Sequence, residues 1–154
     1  MPQDRERRGF EDLECYSLAL QVVKQAYELA SRLPDAEKYN LAAQVRRSAA
    51  STTLNIAEGY GRYHYLDSLR FYYIARGSLT ETLSAFVTCE TVGYLAPDEL
   101  VTLRKLVHSA LRSLNGYIRY VHNACRGHKE YGTQLLREDQ PIYHITLELP
   151  PDDE

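Results

Sequence analysis

A chain of 154 residues with 44% apolar and 25% charged side chains is long enough to bury one ordinary core and too apolar to stay disordered. No apolar run approaches the roughly 18–20 residues of a membrane span, and no apolar stretch follows the charged N-terminal residues as a secretory leader requires. Three scattered cysteines (Cys15, Cys89 and Cys125) exclude a disulfide framework or a paired-cysteine metal site, so a cytoplasmic protein is expected. The net charge of −3 conceals a division. Residues 127–154 hold two basic and seven acidic side chains, a net of −5, which leaves +2 on residues 1–126.

Four segments carry helical periodicity and predict an all-α, up-down antiparallel four-helix bundle over residues 1–126. The first covers about 12–32. Leu13, Tyr16, Leu20, Val23, Tyr27 and Ala30 step by three and four, and Pro34 stops the helix because the residue before a proline avoids the helical region. The second covers about 36–60, with Asp35 near its start. Leu41, Val45, Ala49, Thr52 and Ile56 form its inner stripe, and Gly59 and Gly61 are expected to end it. The third covers about 66–91, with Phe71, Ala75, Leu79, Leu83 and Phe86 inward and Gly93 as its stop. The fourth covers about 97–126. It opens with Pro97, Asp98 and Glu99, where a proline and two acids suit the first turn. Leu100, Leu103, Val107, Ala110, Leu114, Tyr117 and Val121 form its core stripe. Residues 127–154 read as an irregular acidic tail, with strand-like alternation only at 141–149.

The fourth helix also carries a second face. Lys105, His108, Arg112, Asn115, Arg119, His122 and Arg126 continue the same three-and-four stepping, Arg104 lies beside them, and no acid occurs between Glu99 and Glu130. A merely solvated helix face mixes charge signs, because pairs four residues apart then attract. An acid-free row about 30 Å long, at about 1.5 Å per residue, suits a phosphate backbone. The contrasting reading is a solvated face, or one neutralised by the acidic tail.

The second helix carries a polar strip of Gln44, Arg47, Ser51, Asn55, Glu58 and Arg62, flanked by Ala43, Ala50, Leu54 and Ala57. The third carries Asp67, Arg70, Gly77, Glu81, Ser84 and Thr88, with Arg76 beside them. Small neighbours suggest that this strip is covered, as a network fixing helix register or a subunit contact. A mid-helix Gly77 costs about 1 kcal/mol against alanine, which the close approach of another backbone would explain.

Nothing resembles an active site, and the chain is expected to have no enzymatic activity, metal or cofactor. Di-iron bundles need several inward glutamates with Glu-x-x-His pairs, and His108 and His122 are two heptads apart. No phosphate-binding glycine loop of either common type occurs; Gly59-Tyr60-Gly61-Arg62 reads as a helix stop. The tyrosines crowded at 60–73 could stack on bases, although such rings more often pack in interfaces.

Four blocks carry a family resemblance. They are Phe10-Glu11-Asp12-Leu13, Gln44-Val45-Arg46-Arg47-Ser48, Asn55-Ile56-Ala57-Glu58-Gly59 with Gly61-Arg62, and Ala75-Arg76-Gly77-Ser78-Leu79 with Glu81. Over about residues 9–126 the chain resembles the bacterial four-helix bundle proteins encoded in intervening sequences of large-subunit ribosomal RNA genes. The accessory variability determinant (Avd) of diversity-generating retroelements is related to them. The resemblance implies a homopentamer with a basic surface and no catalytic activity. Its Avd branch implies a nucleic-acid platform, for RNA or DNA, that also binds a reverse transcriptase. Two readings follow: a nucleic-acid-binding accessory protein, and a self-assembling structural protein with no nucleic-acid partner.

Overall fold

The computed structural model describes residues 9–124. Arg126, Cys125, the acidic tail and the strand expected at 141–149 lie outside the described residues. Four helices make up the bundle: α1 (Glu14–Arg32), α2 (Leu41–Tyr60), α3 (Tyr65–Thr91) and α4 (Pro97–Ala124). Each packs on its chain neighbours, and α1 also packs on α4, which closes the ring of an up-down arrangement. Among the described residues there is no strand, and no helix is long and apolar enough to cross a membrane.

The stops follow from local chemistry. Leu33 and Pro34 are both extended and end α1. Gly93 adopts φ 86° after α3. Its N–H donates to the Glu90 carbonyl at 3.0 Å and the Tyr94 N–H to the Cys89 carbonyl at 2.8 Å, the paired bonds of a Schellman stop. At the start of α4, Glu99 Oε2 accepts from the Ala96 N–H at 3.1 Å and Glu99 Oε1 pairs with Arg32 Nη1 at 2.9 Å. The backbone N–H, then the guanidinium, hold the Glu99 carboxyl below its usual range.

Several expectations need correction. In the third helix Phe71 is only half-buried, and Tyr72 is buried instead. The second helix does not begin near residue 36. Asp35–Glu37 form a 3-10 turn, and Asn40, at φ −114° and ψ −104°, separates it from α2. Glu37 spans the break: its carboxylate accepts from Asn40 Nδ2 at 3.0 Å, the Leu41 N–H at 3.3 Å and the Tyr94 hydroxyl at 3.2 Å. The α1 stripe is rotated by one residue. Leu20 and Tyr27 are half exposed, and Cys15, Ala19, Val22, Ala26 and Leu29 are buried in their place. Small residues at the centre let α1 sit close to its neighbours, while the larger side chains cover the edges of the seam.

Gly59 does not end α2. It is buried inside the helix, and a Cβ there would lie 2.6 Å from Tyr72 Cε1 and 3.0 Å from the Ser68 carbonyl. The glycine admits the Tyr72 ring, one of the largest fully buried side chains. Tyr72 meets Tyr117 of α4 edge-on, with centroids 5.2 Å apart, and burial holds its hydroxyl well above the usual phenol range. Gly61 follows α2 without a left-handed backbone, donating to the Ala57 carbonyl at 3.1 Å.

The α2–α3 seam is lined by small and hydroxylated residues. Ser48, Ala49 and Thr52 face Ala75, Ser78 and Thr82, all buried. The Ser48 and Thr82 hydroxyls meet at 3.0 Å, and those of Ser51 and Ser78 at 2.9 Å. Thr82 also donates to the Ser78 carbonyl at 2.8 Å, so these polar groups enter the core with partners.

The glycines of this fold therefore differ in kind, and opposite outcomes are expected. Gly59→Ala forces Cβ into the Tyr72 ring and should lower stability by about 1–3 kcal/mol. Gly116→Ala meets nothing within 4 Å and should raise it by up to about 1 kcal/mol. Urea denaturation of both variants checks this, and a neutral Gly59→Ala would contradict the packing role.

Candidate nucleic-acid interface

In α4 Leu100, Leu103, Val107, Ala110 and Leu114 are buried as expected, with Ile118 buried in place of the half-buried Tyr117 and Val121, which turns the opposite side outward. Arg104, Lys105, His108, Arg112 and Arg119 are exposed, and Asn115 and His122 are half-buried. From Arg104 to His122 this row runs about 27 Å at 1.5 Å per residue. Among the described residues, the ion pairs are Arg32 with Glu99 and Arg62 with Glu58, so none of the α4 cations beyond Glu99 is paired. Arg112 Nη2 donates to Ser109 Oγ at 3.3 Å on its own helix.

Arg76 of α3 joins this face, although sequence reasoning places it with the α2–α3 strip. Its Nη1 donates to Asn115 Oδ1 at 3.5 Å, and its guanidinium lies 4.8 Å from the centre of the Tyr73 ring. No pattern within α3 reveals this, because Asn115 is 39 residues away.

The α2–α3 strip is covered only at its middle. Ser51, Ser78 and Asn55 are partly or fully buried, and Asn55 Nδ2 donates to the Ser51 carbonyl at 2.7 Å. Arg47, Glu58, Arg62, Arg70, Arg76 and Glu81 are exposed in the protomer. Gln44 bridges to Glu81 and accepts from Arg47, Arg62 pairs with Glu58, and the Arg62 guanidinium sits 4.5 Å from the centre of the Phe71 ring. Among the described residues nothing approaches Gly77, where an added Cβ would meet no atom within 4 Å. Beside it, Leu54 and Ile74 are 68% and 51% exposed.

A cleft of about 430 Å³ that sequence reasoning missed lies where the start of α1 meets the outer side of α4. Leu13, Glu14 and Cys15 line it from one side, and Arg112, Ser113, Gly116, Tyr117 and Tyr120 from the other. Ser113 Oγ donates to Glu14 Oε2 at 3.1 Å across it. Burial pushes the Cys15 and Cys89 thiols up to about 11, so both stay protonated near neutral pH and are poor nucleophiles. Among the described residues no three His, Cys, Asp or Glu side chains converge on a possible ion site.

The family model of the 23S rRNA-intervening sequence protein matches residues 11–116. The chain belongs to this family. Among solved structures, a protein of unknown function from the S23 ribosomal protein family of Bacteroides thetaiotaomicron is 18% identical. It superposes with a TM-score of 0.63 over 68% of this chain and 98% of its own. At that identity the likeness concerns the bundle alone. No curated protein matches the chain. The match on residues 11–116 takes in Arg104, Lys105, His108 and Arg112 of the row and ends before Arg119 and His122.

Proposed function

We propose that this protein is a non-enzymatic, homo-oligomeric accessory protein that binds RNA or DNA through the outer face of α4. The observation that carries this reading is the row of exposed cations from Arg104 to Arg119, none of them paired with a carboxylate among the described residues, on a stretch with no acidic residue. Like charges on one helix face repel and cost stability; a polyanion reverses that cost by direct contact and by releasing counterions. The name of the family adds ribosomal RNA as one class of nucleic acid to test. The resemblance to Avd adds a reverse transcriptase as a protein partner, to be sought by co-purification.

The α2–α3 face is the proposed subunit contact. It sets the exposed Leu54 and Ile74 among Arg47, Glu58, Arg70 and Glu81, which carry both signs and so suit a self-complementary or ring contact. Gly77 supports it, since a helix glycine with no packing reason among the described residues permits close approach by another chain. A pentamer is the expected ring.

Two measurements test these parts separately. Fluorescence anisotropy with RNA and DNA 20-mers should show binding that weakens with salt. Arg112→Gln with Arg119→Gln should cut affinity at least about tenfold and reduce the salt slope by about two. Unchanged affinity would favour the self-assembling structural protein without a nucleic-acid partner. Light scattering after gel filtration should give a multiple of the protomer mass, and Leu54→Glu should convert it to the monomer. A variant that stays assembled would remove the α2–α3 face from the contact.

A further inference from the structure

We propose that the cleft between the start of α1 and the outer side of α4 is a nucleobase pocket. It takes one unpaired base from a single strand whose phosphates run along the α4 cations. The proposal rests on the nucleic-acid reading of α4 and extends it from charge to strand type.

Three features point to a base. The first is shape. The cleft, at about 430 Å³, falls within the ~300–1,000 Å³ typical of small-molecule sites. Its opening depends on Gly116, where an added Cβ would meet no atom within 4 Å. No packing demand explains a glycine in the interior of α4, where it costs about 1 kcal/mol against alanine.

The second is a stacking surface. Tyr120 is 67% exposed, and its ring lies nearly parallel to that of Tyr117, at 21° and 6.2 Å between centroids. The offset pair gives the cleft a flat aromatic wall. Stacking of one base on such a ring is worth about 1–3 kcal/mol and does not depend strongly on base identity.

The third is the division of charge. Glu14 accepts from Ser113 with one carboxylate oxygen. A carboxylate repels phosphate but accepts from the N–H groups on a base edge. Arg112 lines the same cleft and belongs to the exposed row. It therefore lies where the phosphate of the inserted nucleotide would pass, while the carboxylate lies where the base would be. A base inside a duplex is stacked and paired and does not reach such a cleft, whereas a single strand splays its bases outward.

The test measures anisotropy for the full chain with a 12-nucleotide single-stranded RNA and with the same sequence in a duplex. Tyr120→Ala removes the wall, and Gly116→Leu fills the cleft from an open helix position that favours folding. Each should weaken single-strand binding roughly tenfold and leave duplex binding within about twofold. Equal losses on both probes, or no loss on either, would overturn the pocket, and the phosphate reading would stand if the Arg112→Gln, Arg119→Gln variant still lost affinity. Tighter binding by Tyr120→Ala or Gly116→Leu would also overturn it, by assigning the cleft to residues 127–154. A wild-type chain that binds neither probe would overturn both readings together.

Discussion

The close contact of α2 with α3 sets the terms for the rest of the bundle. Ser48, Ala49 and Thr52 of α2 and Ala75, Ser78 and Thr82 of α3 are all buried and small, and the Ser48–Thr82 and Ser51–Ser78 hydroxyl contacts cross directly between the helices. Hydroxyls buried there are tolerable because they bond one another or a carbonyl one turn back. At one end of the seam Gly59 leaves room for the Tyr72 ring, which carries the packing across to Tyr117 of α4. So thin a seam cannot supply the whole core. Larger side chains add the bulk from all four helices, Leu29 of α1, Ile56 of α2, Leu79 and Phe86 of α3 and Leu114 of α4 among them, each worth about 1.5–3 kcal/mol when buried. A leucine-rich stripe with half-buried flanks holds α4, and the cations from Arg104 to Arg119 lie outside it.

That separation explains how one helix can carry an unmixed row of cations. Arg104, Lys105, Arg112 and Arg119 contribute nothing to the core, and none pairs with a carboxylate among the described residues. The acids of α4 are confined to its first turn, where Glu99 serves the helix start and Arg32. The α2–α3 outer face differs, with cations and carboxylates alternating around Leu54 and Ile74. Mixed charge around an apolar centre suits a protein surface, and a single sign along a ridge suits a polyanion.

What could be read from sequence follows the range of the interactions concerned. The four helices, the Gly93 stop, the Pro97 start and the α4 cation row are set by residues within a few positions of one another, and periodicity exposes them. The misread features depend on distant partners. Gly59 has the composition of a helix stop, and only the Tyr72 ring shows why it is there. Leu20 and Tyr27 look like core residues until Ala19 and Ala26 take the inner positions. α2 starts only at Leu41, where Glu37 bonds Asn40 and the Leu41 N–H and also accepts from Tyr94, 57 residues away. The cleft joins Glu14 to Ser113 across 99 positions, and its one local signal was a glycine between the cations of α4.

The outer face of α4, and not the mixed face of α2 and α3, is the surface proposed to meet nucleic acid. Photo-crosslinking of a 4-thiouridine-substituted RNA to the full chain, followed by peptide mapping, addresses it directly. Crosslinks should concentrate between residues 104 and 122, with Glu14 and its neighbours also marked. Crosslinks concentrated between residues 47 and 81, or none at all, would contradict it.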